Sequence, residues 1–193
     1  MAPIDAGRIE AAVAEILSAI GEDPARPGLV ATPQRVAEAY RDFFGGLSVD
    51  PLTHLADAPE FTAGAGELGE LVVLRDIEFR SVCEHHLLPF IGVAHIAYSP
   101  RNRIVGLGKL PRVVNTLASR PQVQERLTDE IASALDEGLQ PLGVLVVLDA
   151  SHGCLSSRGV RQAKSSTVTM AARGTLSDPV RRAETIALIG SRA

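Results

Sequence analysis

The spacing of apolar residues changes period twice along the chain. Between residues 8 and 20, Ile9, Val13, Ile16, Leu17 and Ile20 recur every three or four positions, which predicts an amphipathic helix. Gly21 to Pro24 end it, and Pro27-Gly28 lengthen the loop. Thr32-Pro33 predict a second start, with threonine at the N-cap and proline at the first helical position. Val36, Tyr40, Phe43 and Phe44 give this helix its apolar face, and Gly45-Gly46 end it. Residues 48–69, with Pro51, Pro59 and several glycines, predict an irregular connector. From Glu70 the period shortens to two. Ile77 and Phe79 alternate with Asp76, Glu78 and Arg80 in a strand over residues 71–79, and a second strand covers residues 90–98, close enough to pair antiparallel. Helical spacing returns with Leu110, Val113, Val114 and Leu117, then with Val123, Leu127, Ile131 and Leu135, where Pro121 is placed in the first turn. Strands over residues 144–148 and 165–171 and a short helix over 181–189 complete the chain.

The order strand, strand, helix, helix, strand, strand predicts an α+β fold: an antiparallel four-stranded sheet with two helices on one face. A helical extension and connector over residues 1–69 precede this main domain, which spans residues 70–193. A hydrophobic content of 46% supplies a core. No apolar run reaches the roughly 18–20 residues of a membrane span, and no basic region followed by an apolar stretch opens the chain, so a cytoplasmic protein is expected. The net charge of −4 and the absence of tryptophan argue against nucleic acid as a partner.

The chain has two cysteines, and each lies beside histidine: Cys83-Glu84-His85-His86 and His152-Gly153-Cys154. Thiolate and imidazole together suit zinc. Two cysteines and one histidine leave a fourth tetrahedral position for water, which zinc acidifies towards neutral pH. The remaining histidines are then free for proton transfer. Spacing does not choose between His85 and His86. It also leaves open a closed Cys-Cys-His-His structural knot, a Cys83–Cys154 disulfide, which a reducing compartment disfavours, and two inert buried thiols.

Longer motifs narrow these alternatives. Ser81-Val82-Cys83-Glu84-His85-His86-Leu87-Leu88-Pro89-Phe90, Gly106-Leu107-Gly108-Lys109-Leu110, the run from Arg120 to Thr128, His152-Gly153-Cys154, Arg158-Gly159-Val160 and Thr32-Pro33-Gln34-Arg35 together resemble the GTP cyclohydrolase I family, over residues 8–174 or so. The resemblance implies a tunnelling fold, with the two helices antiparallel, assembled as a ring of ten subunits with active sites between them. It implies hydrolytic opening of the guanine imidazole ring of GTP, loss of formate and reclosure to 7,8-dihydroneopterin triphosphate. By the same resemblance Cys83, His86 and Cys154 ligate zinc. His85 is the acid/base at the guanine nitrogens, and His152 is a second proton donor near the ribose. Glu125 holds guanine, with Gln124 a weaker candidate of the same kind. Lys109, Arg112 and Arg158 lie at the triphosphate, joined by Arg35 from a neighbouring subunit.

The chain also departs from the family pattern. The usual Gly-Leu-Ser-Lys reads Gly106-Leu107-Gly108-Lys109, Glu38 stands where some relatives carry lysine, and Leu155-Ser156-Ser157 replace a methionine-rich stretch. These departures keep two rivals in view: a member that stops at the ring-opened formamidopyrimidine or takes an altered nucleotide, and a zinc-stabilised binding subunit without catalysis. The Pro-Cys-x-x-Cys and His-x-Glu pattern of the zinc nucleobase deaminases is absent.

Overall fold

The computed structural model describes residues 3–60 and 70–190 of the chain. Residues 61–69, the last part of the predicted connector and the expected domain boundary, lie outside the described residues. The elements in chain order are α1 (Ala6–Ala19), α2 (Thr32–Phe44), β1 (Val72–Cys83), β2 (Pro89–Ser99), α3 (Lys109–Ala118), β3 (Pro121–Gln122), α4 (Gln124–Leu139), β4 (Gly143–His152), α5 (Gly153–Ser156), β5 (Thr167–Gly174) and α6 (Pro179–Gly190). The fold is mixed α+β.

One sheet runs in the order β3-β1-β2-β4-β5. Its four long strands pair antiparallel, while β3 pairs parallel to β1 through Val82↔Pro121 and Cys83↔Gln122. This fifth strand was not predicted. Pro121 was expected inside a helix, but the proline ring pushes the residue before it out of helical conformation. The chain therefore stays extended through Val123, the N-cap of α4. The expected cap at Thr32 is also shifted: Ala31 holds the N-cap position without a side-chain bond, and Thr32 is already helical.

Alternation along the strands divides the side chains between two faces. Phe79, Phe90, Ala94, Ile96, Tyr98, Val144, Val146 and Leu148 pack under Leu110, Val113, Val114 and Leu117 of α3 and under Leu127, Ile131, Leu135 and Leu139 of α4. The opposite face is covered at one end only, where Ala97 and Leu145 meet Leu176 and Ile189. Beyond that end, Ile91, Val168 and Met170 remain exposed.

The segment expected to be a connector contributes to this core. Leu55 is fully buried and belongs to the main cluster. Gly138 of α4 makes room for it, since a Cβ there would fall 2.5 Å from Leu55 Cδ1. Arg120 ties the same segment down by donating from Nε to Gly46 O and from Nη2 to Val49 O. By contrast, α1 packs on α2 and buries none of its residues; Ile16 and Ile20 are 59% and 69% exposed.

If residues 50–58 are part of the core, Leu55→Ala lowers unfolding stability in urea by about 2–5 kcal/mol, the usual effect of a large-to-small change at a buried leucine. A loss below about 0.5 kcal/mol, typical of surface positions, would return the segment to the status of a connector.

Candidate active site

Strands β1 and β4 both flank β2, so their ends are brought together. Ser81 pairs with Phe90, and Phe90 pairs on its other side with His152. Cys83 closes β1, and the following turn is held by backbone bonds: His86 and Leu87 N–H donate to Cys83 O, Cys83 N–H to Leu88 O, and Glu84 N–H to Gln122 O of β3. Leu87 takes a left-handed conformation, φ 52°, to complete the turn. On the β4 side Gly153 permits close approach, because a Cβ there would lie 2.7 Å from Pro89 O. Cys154, the next residue, is thereby set against the Cys83 turn.

The result is a trio. One ligand atom from each of Cys83, His86 and Cys154 lies within 4.8 Å of the others. Cys83 Sγ and His86 Nδ1 are 3.7 Å apart. A tetrahedral ion about 2.3 Å from sulfur and about 2.0–2.1 Å from nitrogen sets these atoms about 3.6 Å apart, so the spacing of Cys83 and His86 matches that of two ligands of such an ion. Both cysteines are free thiols. Burial, and then the neighbouring Cys83 thiol, push the Cys154 thiol above its ordinary pKa. A bound cation reverses that order by stabilising the thiolates.

Around the trio lies a cavity of about 250 Å³ lined by Cys83, His85, His86, Gln124, Glu125, His152 and Cys154, among others. A larger hollow of about 550 Å³ lies against Phe79, Arg80, Ile91 and Asn115, with neither cysteine nor histidine among its described lining residues. The chemistry belongs to the smaller one.

The two histidines outside the trio differ sharply. His85 has a 64% exposed side chain, with Nε2 3.8 Å from Glu84 Oε1. The Glu84 carboxylate is bound by Arg126, which holds it below the usual carboxylate range. His152 is half-buried. Its ring stacks on Phe90, centroids 4.8 Å apart and planes 4° from parallel, and its Nε2 lies 2.7 Å from Gln124 Oε1. Burial lowers its pKa, and the nearby Glu125 carboxylate offsets this in part.

Glu125 is exposed in the first turn of α4, at the rim of the cavity. Arg158 reaches His86, its Nη2 2.9 Å from Nε2. A guanidinium only donates, so in this arrangement the ring proton sits on Nδ1, the nitrogen facing Cys83. Ligation through Nδ1 needs the opposite tautomer, and Arg158 must then leave Nε2.

Lys109, Arg112 and Arg35 do not line the cavity. Lys109 Nζ binds both carboxylate oxygens of Asp57 at 2.8 and 2.9 Å. That contact, with Arg112 nearby, lowers the Asp57 pKa. Lys109 begins α3, while the far end of this ten-residue helix leads to β3 beside Cys83. The ten residues of α3, about 15 Å of helix, lie between Lys109 and the turn into β3. Arg35 is exposed on α2. Sequence reading missed the Glu84–Arg126 pair, the Phe90 stack and the bond between Gln124 and His152, because none of these follows a local spacing rule.

Known proteins resemble the chain over nearly its whole length. The family model described as GTP cyclohydrolase I matches residues 9–190. The GTP cyclohydrolase 1 of Leifsonia xyli is 58% identical over 193 residues, covering 100% of both chains. That of Carboxydothermus hydrogenoformans is 52% identical over 192 residues, covering 98% of this chain and 97% of its own. That of Rhodopirellula baltica is 50% identical over 191 residues, covering 98% and 81%.

Elemental analysis of the purified protein tests the trio. The parent is expected to carry about one transition-metal ion per chain and Cys154→Ala almost none, since three protein ligands are the minimum of an open site. Equal metal content in the two would mean that the ion sits elsewhere.

Proposed function

The chain belongs to the GTP cyclohydrolase I family, and from that premise we propose how its residues divide the work of opening GTP to 7,8-dihydroneopterin triphosphate with release of formate. The observation that carries the reading is the convergence of Cys83, His86 and Cys154 in a cavity that also holds two histidines outside the trio and one carboxylate. Two thiolates and an imidazole would hold zinc among common ions. Bound there, zinc supplies Lewis acidity and makes hydroxide available near neutral pH.

The remaining steps fall to the chain's own groups. Glu125 stands at the rim with its carboxylate exposed, placed to accept two N–H bonds from the guanine edge; adenine presents no such pair of donors. Ring opening needs a proton on the purine nitrogen as C8 is attacked, and the sugar must open in turn. His85 and His152 carry these transfers, since imidazole gives and takes protons near neutrality. Arg158, once clear of His86, offers a guanidinium to the phosphate chain. Gly108 precedes α3, and a Cβ there would meet no atom within 4 Å. The missing serine hydroxyl is therefore no consequence of crowding, and water has room in its place.

Assembly follows from what one chain lacks. Lys109 and Arg112, the cations suited to the triphosphate, lie in the first turn of α3 and are not among the described lining residues of the cavity. β5 ends the sheet with no strand beyond it among the described residues, and Ile91, Val168, Met170, Ile16 and Ile20 are exposed. An unpaired edge with apolar neighbours invites another copy. The proposed assembly is a ring of copies in the tunnelling-fold manner, ten by family resemblance, in which one subunit's Lys109 and Arg112 complete the cavity of the next.

Two measurements test these roles. Glu125→Ala is expected to keep its zinc but lose about ten- to a hundredfold in kcat/KM for GTP, the effect of about 1.5–3 kcal/mol from a charged hydrogen bond. Unchanged kcat/KM would make Glu125 a solvated helix residue. His85→Ala and Lys109→Ala, each inactive alone, are expected to recover about a quarter of parental activity when co-assembled at equal amounts, because one site in four then draws its intact residues from two subunits. No recovery would place each complete site within one chain.

A further inference from the structure

Gln124 is 1% exposed although it lines the cavity, and every polar atom of its side chain is engaged. Its Nε2 lies 3.2 Å from Leu148 O, 2.8 Å from Thr167 O and 3.1 Å from Thr169 Oγ1. The first two partners are backbone carbonyls, which only accept. They force the NH₂ end of the amide towards the sheet and the oxygen end towards His152. The hydroxyls agree with that orientation. Thr128 donates to Gln124 O, at 2.7 Å, and therefore accepts from Thr169 across 2.6 Å. Thr169, having given its single proton to Thr128, has lone pairs left for the Gln124 amide.

The amide oxygen also only accepts, so His152 Nε2, 2.7 Å away, must carry a proton. In the neutral ring this leaves Nδ1 as the nitrogen with a lone pair. Phe90, stacked flat on the ring, opposes a flip that would exchange the two nitrogens.

We propose that Gln124 is a positioning residue that holds His152 in its Nε2–H tautomer, so that the neutral ring presents its lone pair at Nδ1. The proposal rests on the reading of His152 as a proton carrier. It replaces contact with guanine through the amide N–H groups as the role of Gln124: those donors are spent on the sheet, and the oxygen faces His152. Acting through His152, it should govern the chemical step and not the hold on GTP.

The tautomer is read directly by solid-state ¹⁵N spectroscopy of zinc-loaded protein labelled in its five histidines, with the His152 signals identified by their loss in His152→Ala. At mildly alkaline pH, a protonated Nε2 and a bare Nδ1 are expected; a bare Nε2 overturns the proposal. In kinetics, Gln124→Met keeps the shape but offers no acceptor. It is expected to lower kcat about ten- to a hundredfold, within the usual reach of a positioned acid–base group, while KM for GTP and zinc per chain stay within about twofold of the parent. Thr169→Val, which leaves both carbonyls in place, is expected to lower kcat less. Unchanged kcat in Gln124→Met overturns the proposal. Full activity in His152→Ala would instead overturn the reading of His152 beneath it.

Discussion

Strand pairing around β2 is the constraint on which the rest depends. β2 is bonded to β1 on one side and to β4 on the other, and Phe90 has Ser81 and His152 as its two neighbours. The register sets the end of β1 beside the end of β4, seventy residues away in the chain. A slip of one residue in either pair would turn every side chain to the opposite face. It would bury His152 differently and separate Cys83 from Cys154. The apolar face under α3 and α4 resists such a slip, because it would expose Phe79, Phe90 and Leu148.

Short-range devices finish what the register begins. The left-handed Leu87, the backbone bond from Glu84 N–H to Gln122 O and the side-chain-free Gly153 each move a ligand-bearing segment inward by a small amount. The two-residue β3 anchors the turn and also starts α4. The same few residues thus position Cys83, Gln124 and Glu125. The histidines then divide by environment: His85 sits in solvent beside a carboxylate held by Arg126, and His152 sits against an aromatic face with its Nε2 committed. Two imidazoles of equal intrinsic chemistry thereby stand in unequal surroundings.

Charge separates along the same molecule. The cavity at the strand ends carries the metal-binding trio and Glu125. The cations suited to phosphate gather at the start of α3, where Asp57 occupies Lys109. The uncovered sheet face and the exposed side of α1 carry apolar residues, among them Ile91, Val168, Met170, Ile16 and Ile20.

Much of this was legible in the linear chain, since periodicity reports which face of an element is buried. The four long strands, the helices α3 and α4 and the positions of both ligand-bearing motifs follow from spacing alone. Leu55, β3 and Pro121 were misplaced because their surroundings come from segments far away: Leu55 is core only because α4 offers a glycine opposite it, and Pro121 is a strand residue only because β1 lies alongside. Residue chemistry made a thiolate–imidazole metal site an expectation, and family motifs chose its three ligands. The tertiary structure decided how those residues stand. It placed Cys83, His86 and Cys154 within reach of one ion and left Lys109 out of their cavity. It turned the Gln124 amide oxygen towards His152, because an amide between two carbonyl oxygens has only one orientation that satisfies them.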